Sequence, residues 1–203
     1  MEDVILGAHG RGGVVFTDSR STELAGCCEL RPRVYDDSRG RLVKVFHRDA
    51  FAALGFATDF VETYYSMSHR GVIRGLHFQT PPAEHAKLVC CTSGRVQDAV
   101  VDLRRGSPTY GMYVTLELSA EIGNMLYIPP GMAHGFCVLS RQAHMVYQVT
   151  SQYDAGHDAG IRWDSARIPW KIAAPILSER DRNHPALSDF SSPFLYHPGG
   201  RRQ

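Results

Sequence analysis

Gly71-Val72-Ile73-Arg74-Gly75-Leu76-His77-Phe78-Gln79 is an apolar, strand-like run punctuated by glycines, with an arginine and a histidine three residues apart. In a strand, side chains alternate between faces, so Arg74 shares a face with Leu76 while Ile73, Gly75 and His77 share the other. Strict alternation therefore separates the two polar groups. A bulge at Gly75, a residue type that tolerates the backbone angles a bulge requires, would re-aim one of them into a common cavity. Two readings stand at this point: His77 is the base of a site beside the bulge, or it is a satisfied core histidine with Arg74 a surface charge.

Outward from this run, short apolar or aromatic segments recur at residues 60–66, 87–92, 95–103, 113–118, 125–128, 135–139 and 144–149. Turn signals such as Ser93-Gly94 and Arg105-Gly106-Ser107-Pro108 separate them. Strands at this spacing predict an all-β sandwich or barrel, with a jelly roll the common single-domain answer. Residues 29–35 and 42–46, joined through Asp36, Asp37, Ser38 and Gly40, read as a hairpin with Arg39 on its turn. Asp49 is placed to cap a short helix through Leu54, ended by Gly55. After Thr150 the chain is a wrapping tail: residues 153–160 are polar, Pro169 and Pro175 prevent long elements, and Ser178 is positioned to cap one helical turn reaching Asp181. The expected organisation is an N-terminal extension (1–28) with at best one irregular strand at 14–17, a single domain (29–190) and a loosely held end (191–203).

Composition sets outer limits. With 203 residues the chain can bury one substantial core. Its 22 Lys and Arg against 21 Asp and Glu leave a net charge of +1, so no global field recruits nucleic acid or a membrane surface, and any anionic ligand is held by local charges. Cys27, Cys28, Cys90, Cys91 and Cys137 are odd in number and lack the CxxC spacing of a structural zinc site, which predicts reduced thiols. No apolar run reaches the roughly 18 residues of a membrane span, and the N-terminus lacks a signal peptide's apolar core, so a cytoplasmic protein is expected.

A second motif lies at Ile128-Pro129-Pro130-Gly131-Met132-Ala133-His134, where a Pro-Gly turn pins a histidine at the start of a strand. Together with residues 71–77 it resembles the two-motif signature of cupin barrels. Metal-binding cupins carry a second histidine two residues after the first, where this chain has Gln79. A metal-dependent site built from His77, Glu84 and His134 is the alternative this pattern leaves open. The other histidines, including His69, His85, His144, His157 and His184, lack comparable spacing and read as solvated loop residues.

Further motifs sharpen the likeness: Arg74-Gly75-Leu76-His77-Phe78-Gln79, Lys87-Leu88-Val89, the run from Asp102 through Leu103-Arg104-Arg105-Gly106-Ser107-Pro108 to Thr109, Ala133-His134-Gly135-Phe136, and Leu177-Ser178-Glu179-Arg180-Asp181. In this order they resemble the nucleotide-sugar 3,5-epimerase family typified by dTDP-4-dehydrorhamnose 3,5-epimerase. The resemblance implies a metal-free, cofactor-free cupin-type jelly roll with a few short helices, usually a homodimer, that inverts centres flanking the C4 ketone of a nucleotide-linked 4-keto-6-deoxy sugar. It assigns His77 as base, Asp181 as the carboxylate behind it and Tyr147 as the acid on the opposite face. Arg74, Lys87, His134, Gln79, Glu62, Tyr64 and Tyr153 become substrate-binding residues, and Arg39 reaches the nucleotide across the dimer.

The chemistry agrees with that assignment. A ketone acidifies neighbouring C–H bonds, so epimerisation needs a base, stabilisation of the enolate and an acid on the other face. A carboxylate behind an imidazole fixes its tautomer, and arginine's planar fork suits a diphosphate. Departures bear on specificity: Gln148 follows Tyr147 where a lysine is common, Glu62-Thr63-Tyr64 replaces a Gln-x-Asn, Trp163-Asp164-Ser165 replaces an Asp-Pro pair, and Lys44 replaces a glutamate that approaches thymine, which brings CDP and GDP sugars into consideration. A non-catalytic sugar-nucleotide sensor is the reading from outside the enzymes.

Overall fold

The computed structural model describes residues 15–198. Six strands, β1 (Phe16–Ser21), β2 (Cys28–Pro32), β5 (Glu62–His69), β7 (Lys87–Ser93), β10 (Met125–Ile128) and β12 (Gln142–Val149), form one sheet in the order β1-β2-β10-β7-β12-β5. A second sheet has the order β13-β6-β11-β8-β9, from β6 (Ile73–Gln79), β8 (Arg95–Asp102), β9 (Tyr113–Ser119), β11 (Met132–Val138) and β13 (Asp158–Gly160). β3 (Val34–Asp37) and β4 (Gly40–Val43) make a separate hairpin, and all strand pairs are antiparallel. This is the all-β, cupin-like jelly roll expected from the strand spacing, with two short α-helices, α1 (Arg48–Ala53) and α2 (Glu179–Asn183).

The inner strands β7, β8, β10 and β11 are covered on both faces, and this explains why they read as unbroken apolar runs rather than as alternating ones, whereas the edge strands β1 and β5 stay largely exposed. Between the sheets, Val89, Leu126, Ile128 and Met145 meet Val96, Val100, Phe136 and Val138. Outside the six-stranded sheet, the alternate residues Leu88, Cys90, Met125 and Tyr127 pack on Phe51 and Phe56 from the α1 region. Outside the five-stranded sheet, Leu76, Phe78, Ala99 and Val101 lie under Ile161, Ala166, Ile168 and Phe194 of the tail. All five cysteines are buried, free thiols. Burial pushes Cys27 up to about 12, which suppresses its thiolate.

Several local expectations shift. The 29–35 run is divided at Arg33 into β2 and β3, so the hairpin is the shorter β3–β4 pair. The N-cap of α1 is His47; Asp49 lies in the first turn, where its charge favours the positive helix end, and Gly55 at φ 72 ends the helix. In the extension, β1 runs along β2 from Phe16 to Ser21 and Leu24 is fully buried, while Val14 lies outside the described residues. At the other end, the described part of the tail expected to be loosely held, residues 191–198, is anchored: Phe194 is buried, the Arg105 amide donates to the Phe194 carbonyl, and the Tyr196 amide donates to the Arg105 carbonyl, while residues 199–203 lie outside the described residues. An aromatic ring large enough to fill the outer layer outweighs the loosening effect of Pro193 and Pro198.

Candidate active site

The bulge on β6 exists and does what the site needs. His77 pairs with His134, but Arg74 pairs with Phe136, so Gly75 and Leu76 on β6 together oppose the single Gly135 on β11. Gly75 takes φ 141, open to glycine, and the facing residue is also glycine: a β-carbon on Gly135 would stand 2.7 Å from the Arg74 carbonyl oxygen. The extra residue brings Arg74, His77 and Gln79 to the inner face together, and all three line one cavity of about 380 Å3.

His77 Nε2 lies 2.6 Å from Asp181 Oδ1. Asp181 sits in the first turn of α2, whose N-cap is Ser178; the Ser178 hydroxyl accepts from the Asp181 amide at 3.0 Å. The tail delivers this helix along the edge of β6. Ile176 bridges Val72, Ile161 exchanges two backbone hydrogen bonds with Leu76, and β13 pairs with residues 77–79. Burial lowers the His77 pKa from its ordinary value, against the opposing pull of Asp181. Burial pushes Asp181 upward, but hydrogen bonds from His77 and Ser178 leave it below the usual carboxylate value. Nδ1 is then the His77 nitrogen left to take a proton.

The opposite wall comes from the six-stranded sheet. Tyr147 is buried, stacks on Tyr64 with ring centroids 4.7 Å apart, and places its hydroxyl 3.3 Å from Ser66 Oγ. Burial raises the Tyr147 phenol well above its usual value and pushes Tyr64 up to about 12, so both stay protonated. Lys87, on β7, is buried and donates to the His77 carbonyl oxygen at 3.1 Å; desolvation lowers it to about 8. His134 pairs through Nε2 with the fully buried Asp98 at 2.8 Å. Burial raises Asp98, opposed by His134 and Lys87.

At the mouth, Glu62, Tyr153, Asp158 and Arg180 line the cavity. Glu62 accepts from the Tyr153 amide at 2.8 Å, and Arg180 donates to Asp158 at 2.7 Å. Arg74 donates through Nε to Ser68 Oγ at 2.9 Å. Gln79 lines the cavity, yet its amide is committed to the loops around it: Nε2 donates to the Ala83 and Gln152 carbonyls, and Oε1 accepts from the Asp154 amide. It holds the wall in place.

Of the residues singled out from sequence, His77, Asp181, Tyr147, Arg74, Lys87, His134, Gln79, Glu62, Tyr64 and Tyr153 converge here. Arg39 does not: it lies at the exposed β3–β4 tip and forks Asp37. Glu84 is absent from the lining that His77 and His134 share, so those three do not form a metal-ligand set. Gln148 points away from Tyr147's face, so the absent lysine removes no cation from the cavity. Ser165 clasps the tail, donating to Arg162 O and accepting from the Leu187 amide. Sequence reasoning missed Asp98, Ser66, Asp158 and Arg180. Asp98 had a visible signal, a lone carboxylate inside the apolar run 96–101. His85 and His184 are also not the solvated loop residues expected. His85 lines the cavity, burial lowering it to about 3, and the His184 ring packs 5.6 Å from that of His77.

The double sheet and this cavity together define a cupin-type enzyme equipped for proton transfer. A sequence model of the family described as dTDP-4-dehydrorhamnose 3,5-epimerase matches residues 21–189. The enzyme of that name from Shigella flexneri is 42% identical over 165 residues, covering 80% of this chain and 91% of the relative. A dTDP-4-dehydrorhamnose 3-epimerase from Streptomyces niveus is 36% identical over 173 residues, 84% of each chain. The crystal structure of dTDP-6-deoxy-D-glucose-3,5-epimerase from Legionella pneumophila, in complex with dTDP-4-keto-L-rhamnose, superposes with a TM-score of 0.85 at 32% identity, covering 89% of this chain and 98% of that one. The chain belongs to the dTDP-4-dehydrorhamnose 3,5-epimerase family, and is an epimerase of the isomerase class.

Proposed function

We propose that this enzyme inverts C3, C5 or both centres of a dTDP-linked 4-keto-6-deoxyhexose in deoxysugar biosynthesis, with His77 as base and Tyr147 as acid. The observation that carries this reading is their placement: the His77–Asp181 pair belongs to the five-stranded sheet and its tail, Tyr147 to the six-stranded sheet, and both line one cavity. A sugar between them presents opposite faces to the two groups. His77 Nδ1 takes the proton beside the ketone, and Asp181 stabilises the imidazolium that forms. The Lys87 ammonium is the cation for the enolate oxygen, supported by His134. Tyr147, kept protonated by burial, delivers its proton from the other face and is recharged from solvent past Ser66. Arg74 and Arg180 supply cations for the diphosphate. The nucleotide is dTDP by likeness to the named relatives; Lys44, the residue that pointed toward CDP or GDP, is not among the cavity residues. Arg39 completes the neighbouring site of a homodimer, a reading supported by exposed Tyr35 and Leu42 on the same hairpin.

The test is deuterium incorporation by NMR in D2O with dTDP-, CDP- and GDP-linked 4-keto-6-deoxy sugars. Preferred washout from the dTDP sugar, abolished in folded His77→Ala protein, is expected; washout at one carbon or both fixes the number of centres inverted. Full activity of the His77→Ala protein, or binding without any washout, would overturn the proposal.

A further inference from the structure

His184 is not used by the proton-transfer chemistry, and its surroundings are unusual. Its Nε2 is buried without a hydrogen-bond partner. That nitrogen lies 4.0 Å from Asp181 Oδ1, the same oxygen that holds His77 Nε2 at 2.6 Å. The ring is pressed onto Gly160, where a β-carbon would stand 2.6 Å from His184 Nε2. A ring nitrogen of His77, a carboxylate oxygen of Asp181 and a ring nitrogen of His184 all fall within 4.8 Å of one another, and of the three only His77 lines the cavity.

We infer that these three residues form an inhibitory site for a divalent transition metal, zinc in particular. Two imidazoles and one carboxylate are a ligand set for zinc or cobalt, with a fourth position for water. Tetrahedral bonds of about 2.0 Å put ligand atoms about 3.3 Å apart. The 2.6 Å contact must therefore open, and the 4.0 Å contact close, by about 0.7 Å each. One small movement of the Asp181 carboxylate away from His77 and toward His184 serves both, and the two imidazoles, whose ligand atoms lie within 4.8 Å, close to the same spacing of about 3.3 Å by turning toward the ion. The metal replaces the proton on His77 Nε2, and that proton moves to Nδ1. With one nitrogen bound to metal and the other protonated, the imidazole has no lone pair left to accept a substrate proton, so the loaded enzyme is switched off. The inhibitory half of this inference rests on His77 being the base; the binding half does not.

Cobalt titration of tag-free, chelator-treated protein reads the site independently of activity. One equivalent of Co2+ is expected to give the visible absorption of a tetrahedral nitrogen–oxygen site, displaced by Zn2+. His184→Ala and His184→Gln should each weaken binding by about tenfold or more. At the zinc concentration that saturates the native protein, deuterium washout should stop there but persist in either variant, each measured against its own metal-free rate. Absence of a stoichiometric cobalt band, or equally tight binding by both variants, would overturn the site. A cobalt band that leaves washout intact would overturn its inhibitory role.

Discussion

Gly75 on β6 and Gly135 on β11 approach so closely that a β-carbon on the first would lie 2.6 Å from the Cα of the second. The contact permits the bulge that turns Arg74 and His77 to one side. Gly75→Ala should therefore cost about 3 kcal/mol, from the disfavoured positive φ and the backbone collision. Denaturant unfolding measures the loss. Deuterium washout should fall by more than the folded fraction explains, because the relief of the collision moves His77.

Tyr147→Phe separates exchange from inversion. His77 can still remove a proton and return a deuteron to the same face, so washout should continue. Formation of the inverted sugar should fall by about 100-fold. The lost hydrogen bond to Ser66 is long, at 3.3 Å, so stability should change little. NMR on one reaction mixture reports both rates, and equal loss of the two would contradict separate roles.

The activity profile should be bell-shaped in pH. The proposed base works when neutral, and burial lowers His77 from its ordinary value of 6.5, so the acid limb should fall below pH 6.5. The role proposed for Lys87 requires its charge. Burial brings it down to about 8, so its ammonium, and with it enolate stabilisation, is lost above that value. Lys87→Met should lower kcat and remove the basic limb, which a pH series of kcat/KM would display.

Asp102 explains a motif that sequence alone linked to the family. Its carboxylate, fully buried, accepts from Arg104 Nε at 2.8 Å, Ser107 Oγ at 2.6 Å and Thr109 Oγ1 at 2.7 Å, tying down the turn after β8. Asp102→Ala strands these donors and should cost about 3 kcal/mol. Burial raises Asp102, but these hydrogen bonds leave it below its ordinary 3.8. The stabilisation is therefore full above the unfolded value and disappears as pH falls through the lower folded one. Chemical unfolding from pH 7 down to 3 should show native and variant converging in acid.

The jelly roll was legible because turn residues such as Gly94 and Gly131 mark the strand ends, and the bulge was legible because Gly75 stands between two polar residues. The paired carboxylates were less so. Asp181 was found through a motif, whereas Asp158 and Arg180 meet only after the tail has wrapped. His184 looked solvated because nothing in its neighbourhood reveals that Gly160, distant in sequence, leaves room for its ring. Contacts made by the tail depend on tertiary packing and leave little local pattern.

His77 and Asp181 are 104 residues apart, and every strand around the cavity except β13 is complete by Val149. On the ribosome, most of the barrel can therefore take shape before the proposed base acquires the carboxylate that supports it. A nascent chain halted in the region after Val149 would present a cleft still missing its mouth of Tyr153, Asp158 and Arg180, with an untuned imidazole, and completion would arrive only with the last quarter of synthesis. The same separation makes the tail a control point: sequence drift in α2 and its approach can retune basicity and the cavity mouth together, while the walls drawn from the two sheets stay unchanged.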